Sequence, residues 1–118
     1  AAWYNADRAI VLAIFRQSFD QLLDRELPDD ERARIVAAAS SVPGVLDVHD
    51  LRTRQSGTHA FVQLHAVFDG ALTLEEAHAL ADAVEAAVMA ILPNAEVLVH
   101  SDPSNVLENR RPLAFVAR

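Results

Sequence analysis

The sequence predicts an α+β domain in which an open three-stranded sheet carries helices on one face, with a further helix in front of it. Stretches with apolar residues three and four positions apart alternate with stretches rich in β-branched residues. A polar turn joins the first two β-branched stretches, and a long helical stretch connects the second with the third. A chain of 118 residues with 52% apolar residues suits one domain with its own core.

Composition excludes several classes of function. The chain has 17 acidic residues against 10 arginines, a formal charge of -7, which disfavours nucleic-acid binding because phosphates need a basic surface. It has no cysteine, which excludes thiolate metal sites and cysteine catalysis. The longest apolar run, residues 9–15, is far short of the roughly 20 residues of a membrane span, and no secretory signal is recognisable. We therefore expect a cytoplasmic location.

Two helices are predicted in the first third of the chain. Residues 3–27 form the first, which Pro28 ends because proline disfavours helical geometry in the preceding residue. Asp29 and Asp30 begin the second, since carboxylates are favourable at a helix N-terminus, and the Pro-Gly pair at 43–44 closes it. Its expected buried positions are Ile35, Val36 and Ala39.

A β-hairpin is predicted next. Residues 45–53 and 60–68 are the two strands, and residues 55–58 supply the turn. Alternation places Gln63 and His65 on one face of the second strand. The core face is then formed by Ala60, Val62, Leu64, Ala66 and Phe68.

The last third predicts a long helix and a third strand. Thr73 and Glu76 have the spacing of a capping box, and the helix extends to about Leu92. Its apolar stripe is Leu80, Val84, Val88 and Ile91. Residues 96–101 form the strand, and an irregular tail follows from Pro103.

Five residues are candidate metal ligands. His100 and Asp102, two positions apart on a strand, share one face. His65 lies off the core face, His49 lies on the partner strand of the hairpin, and His78 lies at the edge of the apolar stripe of the long helix. Imidazole and carboxylate are ligands of zinc and similar cations, so three strands and a helix each offer a ligand where these elements are adjacent.

The competing interpretation is that these histidines are ordinary polar residues. A single histidine in a protein is more often hydrogen-bonded than metal-bound, and His59 is expected to be solvated at the end of the turn. Asp47 and Asp50 flank His49. One of them could orient a metal-binding imidazole through a hydrogen bond to its other ring nitrogen, and the alternative is that both lie at a solvated strand edge.

Six segments of the chain resemble segments of a known protein family and follow one another in the same order. They are LLDRELPDDE (22–31), VPGV (42–45), HDLRTRQSG (49–57), QLH (63–65), AHALAD (77–82) and VHSDP (99–103). Over residues 22–106 the chain resembles the cation diffusion facilitator family, most closely its bacterial zinc and ferrous-iron efflux branch.

The resemblance implies a metallochaperone-like (ferredoxin-like) cytosolic domain that follows the last membrane helix of a transporter, pairs as a homodimer and regulates efflux. We expect no enzymatic activity. By position, a two-metal site would be held by five residues, with the aspartate bridging: His49, His65, His78, His100 and Asp102. Zinc is the expected cation, and ferrous iron, cadmium, cobalt and nickel also suit nitrogen and oxygen ligands.

The same resemblance divides the chain and shows where it departs from the family. Residues 1–28 would be a shortened last membrane helix with its linker, residues 29–106 the metal-binding dimerisation domain, and residues 107–118 a tail. Ser101 stands where the branch often has an amide. The intramembrane transport site of the family is absent, so we expect the chain to be either a piece of a transporter or a membrane-free relative. In either case we expect the chain by itself to transport nothing.

In the resulting hypothesis, cations neutralise an acidic site at the dimer contact and favour the closed dimer. Affinity should fall below about pH 6, because a protonated imidazole cannot bind a cation. Three alternatives remain open: a free-standing metal buffer or chaperone, a two-metal hydrolase for which no general base is apparent, and a metal-free dimerisation module.

Overall fold

The computed structural model of the protein describes residues 2–22 and 25–106. Six elements follow one another in the order helix, helix, strand, strand, helix, strand. They are α1 (Ala2–Leu22), α2 (Asp29–Ser40), β1 (Asp47–Ser56), β2 (His59–Phe68), α3 (Leu74–Ile91) and β3 (Ala95–Pro103).

The sheet has β2 in its centre. β1 pairs with β2 antiparallel, and β3 pairs with the other edge of β2 in parallel. α3 makes the crossover between these two parallel strands, which cannot be joined by a short turn. The predicted α+β architecture, an open three-stranded sheet with a preceding helix, is confirmed.

The core lies between one face of the sheet and the helices. Val62 and Leu64 of β2 are buried against Ile35 of α2 and against Val84 and Val88 of α3. The predicted stripes of both helices are therefore correct, because the apolar spacing of each helix gives it one buried face. At the start of α3, the Thr73 hydroxyl accepts a hydrogen bond from the Glu76 backbone N–H at 3.1 Å, as the capping box predicts.

The prediction of one helix over residues 3–27 was wrong at its end. Among the described residues α1 ends at Leu22, and Arg25 forms an isolated antiparallel bridge with Gln55. Leu27 is buried in the core with 3% exposure. Pairing with the strand satisfies the Arg25 backbone, and burying Leu27 gains apolar contact, so tertiary contacts outweigh helix propensity here. We refer to residues 25–28 as the linker segment.

The strands are longer than predicted. β1 continues to Ser56, so the hairpin turn is the two-residue pair Gly57-Thr58. Gly57 has a φ of +61°, which glycine adopts without the steric cost of a side chain. β3 extends to Pro103, two residues beyond the predicted end. The predicted tail, residues 107–118, lies outside the described residues.

α1 exposes a run of apolar side chains. Six of them are more than half exposed: Ile10, Val11, Leu12, Ile14, Phe15 and Phe19. No described helix combines the length and the hydropathy that crossing a membrane requires.

Candidate metal centre

Three histidines form a row across the sheet. His49 of β1 is paired with His65 of β2, and His65 is paired with His100 of β3. Directly paired residues in a sheet point to the same side. This side is opposite to the core face that Val62 and Leu64 form, so the row lies on the face away from the helices.

Asp102 joins the row because it lies two residues after His100 on β3. Its Oδ2 atom is 3.0 Å from His49 Nε2 and 2.9 Å from His65 Nδ1. The His65 ring is stacked on the His100 ring at 4.7 Å between centroids and is tilted against the His49 ring at 5.1 Å. We call His49, His65, His100 and Asp102 the sheet-face cluster.

An irregularity in β1 brings a second carboxylate to the cluster. The register between β1 and β2 shifts between His49 and Arg52, and Asp50 within this bulge has a φ of +50°. Its Oδ2 lies 3.7 Å from His65 Nε2, and its Oδ1 lies 3.6 Å from Arg52 Nε. Asp50 thus faces the ring nitrogen of His65 that Asp102 does not contact, and Arg52 offsets part of its charge.

Three of the four cluster residues are placed where they could hold one divalent cation. One ligand atom each of His49, His65 and Asp102 lies within 4.8 Å of the others. Around a tetrahedral zinc ion bonded at about 2.05 Å, neighbouring ligand atoms are about 3.3 Å apart, close to the two distances that Asp102 Oδ2 makes. His49 Nδ1 is buried and has no hydrogen-bond partner among the described residues, so the ring is held by packing and by Asp102.

His78 does not join the cluster within one chain. It lies on α3, which packs on the core face of the sheet, and its side chain is 74% exposed. Its Nε2 atom is 3.5 Å from Asp82 Oδ2, one turn further along the same helix. The predicted ligand set therefore separates into four residues that the fold assembles and one that it leaves at the surface. His59 is exposed, as expected.

Sequence reasoning did not assign a role to Gln63. Its amide nitrogen lies 3.1 Å from His100 Nε2, and both side chains are partly buried. The alternation along β2 already placed Gln63 on the face of His65, and this is the signal that was available. The family branch often has an amide side chain at the position of Ser101. In this chain Gln63, on the neighbouring strand, places an amide beside the cluster.

Comparison with known proteins identifies the family. Residues 27–104 match the model of the family described as the cytoplasmic domain of cation efflux proteins. The chain belongs to this family. The sheet-face cluster lies entirely inside the matched region of the cation efflux domain.

Curated relatives are similar over nearly the whole chain. The cation-efflux pump FieF of Serratia proteamaculans is 50% identical over 124 aligned positions, which cover 93% of this chain and 41% of the pump. The FieF pump of Yersinia enterocolitica is 43% identical with the same coverage. The chain thus spans about two fifths of the length of the curated relatives that it matches.

Solved structures agree with the fold. A nickel form of a MamM CTD variant is 33% identical, has a TM-score of 0.62 and covers 66% of this chain and 100% of that one. A cadmium form of another MamM CTD variant is 33% identical, has a TM-score of 0.61 and covers 65% of this chain and 96% of that one. The metallochaperone-like arrangement expected from the sequence is confirmed.

Proposed function

We propose that this chain is the metal-sensing and dimerising part of a divalent-cation efflux transporter. In this proposal it binds a pair of cations through the five predicted ligands, and occupancy favours a closed homodimer that regulates transport. The observation that carries the proposal is the position of one carboxylate oxygen, Asp102 Oδ2, between His49 Nε2 and His65 Nδ1. This oxygen and the two ring nitrogens supply three ligand atoms for one cation.

Each protein group has a definable part. Asp102 accepts hydrogen bonds from two imidazoles in the cation-free protein, and these bonds hold both rings in place. To bind a cation through the nitrogens that face Asp102, each neutral ring must carry its one N–H on its other nitrogen, so binding is coupled to a change of tautomer in both rings. The bound cations would supply positive charge that offsets the carboxylates of the site.

His78 is the reason for including a second copy of the chain. Because α3 and the cluster lie on opposite faces of the sheet, His78 can complete the ligand set only from another copy. Binding energy that depends on both copies stabilises the assembly by mass action.

The relatives support the class of cation but do not select one. The curated relatives are named as cation-efflux pumps, and the two solved structures are nickel and cadmium forms. Nitrogen and oxygen ligands also suit zinc and ferrous iron, the cations of the family branch that the sequence resembles. We propose zinc as the first cation to test.

The test is the thermal unfolding of the stripped 118-residue chain with and without zinc. At zinc concentrations 100-fold above the dissociation constant, a site specific to the folded state stabilises it by about 2.7 kcal/mol, which raises the melting temperature by roughly 10 °C. We expect His65→Ala and Asp102→Ala to remove most of this increase, because both residues lie in the cluster.

His59→Ala is the matched control, since it removes an exposed histidine of the same sheet and should leave the increase intact. A stripped chain whose melting temperature does not respond to zinc would contradict the proposal. So would a response that the cluster variants retain in full.

A further inference from the structure

Gln63 and His100 form a contact that the ligand set alone does not require. The register pairs His65 with His100 and Gln63 with Leu98, so Gln63 is the diagonal neighbour of His100 on the same face. The amide nitrogen of Gln63 faces Nε2 of the ring at 3.1 Å, within hydrogen-bond range. The ring is also stacked on His65 with 17° between the planes, which restricts its rotation.

With the amide nitrogen of Gln63 facing the ring, this contact fits only one tautomer of His100. An amide nitrogen donates but does not accept, so the hydrogen bond exists only if Nε2 presents its lone pair. A neutral imidazole has one N–H, which must then be on Nδ1. His100 consequently has a single lone pair, on Nε2, and Gln63 engages it.

We propose that Gln63 is a positioning residue that sets the tautomer of His100 and competes with divalent cations for its Nε2 lone pair. The inference rests on the proposed function for its cation, but the tautomer is a property of the cation-free protein. Asp102, His49 and His65 are in contact without any help from Gln63. Gln63 therefore weakens the binding that needs His100 and leaves the binding by the other three residues unchanged, so the two cations bind in order.

The tautomer is measured first, by two-bond ¹H–¹⁵N correlation NMR of the imidazoles in the stripped 118-residue chain, at a pH where they are neutral. We expect the Nδ1–H form of His100 in the unaltered chain. Gln63→Glu has the same shape but only accepts hydrogen bonds, so it should convert His100 to the Nε2–H form. Gln55→Leu removes an amide whose contact is the Gly57 carbonyl, and it should leave His100 unchanged.

Zinc binding is measured next, by calorimetric titration of the stripped chain. His100→Ala identifies the binding event that needs His100, because that event is lost in this variant. Gln63→Leu removes the competing hydrogen bond, so we expect the zinc affinity of the same event to rise about fivefold. The other binding event should not change. Nδ1–H in the unaltered chain, its loss in Gln63→Glu and selective tightening in Gln63→Leu would support the inference.

An Nε2–H form of His100 in the unaltered chain would overturn it, as would unchanged or weakened zinc binding in Gln63→Leu. If zinc binds nowhere, the proposed function fails and the competition with it, while the tautomer result still decides whether Gln63 sets the proton. Thermal unfolding of each variant verifies that it folds, and the Gln63→Glu spectrum remains decisive if Gln63→Leu does not fold.

Discussion

Asp50 shows at the scale of one residue how the backbone shapes the site. A φ of +50° is unfavourable for residues other than glycine, although aspartate and asparagine tolerate it better than most. Asp50 adopts this conformation within the bulge in β1, and its carboxylate faces His65. Local strain next to a candidate site is a known pattern, and here its structural result is a second carboxylate at the cluster.

Two substitutions at this position separate the backbone from the side chain. Both Asp50→Gly and Asp50→Ala remove the carboxylate. Only alanine has a Cβ, which is sterically unfavourable in the left-handed region of backbone conformation. We expect Asp50→Gly to be more stable than Asp50→Ala by about 1 kcal/mol in urea unfolding of the stripped chain. Equal stability of the two variants would show that the bulge relaxes without cost.

At the scale of elements, the linker segment is tied to the strand that carries His49. Arg25 exchanges two backbone hydrogen bonds with Gln55, of 3.2 and 2.6 Å. The buried Leu27 N–H donates to the Thr53 hydroxyl at 3.2 Å. β1 therefore contacts the linker segment at one end and carries a residue of the cluster at the other, so one strand connects the two.

The hydroxyl of Thr53 can be tested with a nearly isosteric change. Thr53→Val leaves the buried Leu27 N–H without an acceptor, which should cost about 1–3 kcal/mol of unfolding free energy in urea. Amide hydrogen exchange at Leu27 should accelerate in this variant. Thr53→Ser keeps the acceptor and should keep the protection of Leu27. Slow exchange at Leu27 in Thr53→Val would mean that the hydrogen bond does not hold the segment.

At the scale of the whole molecule, charge and ligand placement are the two features on which the proposed cation-dependent dimer depends. The chain carries a formal charge of -7, which opposes the association of two copies. One predicted ligand, His78, lies apart from the four that the fold brings together. Bound cations would reduce the repulsion and connect the two parts of the ligand set.

Sedimentation velocity of the stripped chain tests this expectation. We expect zinc to shift the chain towards a dimer. We expect His78→Ala to weaken zinc-dependent dimerisation at least about tenfold, since removing even a residue that only hydrogen-bonds a metal ligand lowers metal affinity about tenfold or more. His59→Ala, at the end of the hairpin turn, should dimerise as the unaltered chain does. If His78→Ala dimerises normally with zinc, His78 is not part of the shared site.

Most of the fold was predictable because its signals are local. The apolar spacing that buries Ile35, Val84 and Val88 and the capping pair Thr73 and Glu76 act within a few residues of chain. Strand alternation has a period of two, so it correctly predicted that His100 and Asp102 share a face. The end of α1 was missed because the contacts of Arg25 and Leu27 are with a strand almost thirty residues away.

The sequence by itself therefore determined the elements, their buried faces and the residue types that can bind a cation. Only the tertiary structure decided which of these residues meet. The parallel register of β2 and β3 placed His65 beside His100, and the bulge in β1 directed Asp50 to the His65 ring. The side of the sheet on which α3 packs left His78 apart. These outcomes depend on hydrogen-bond register and packing between distant segments, which local periodicity does not encode.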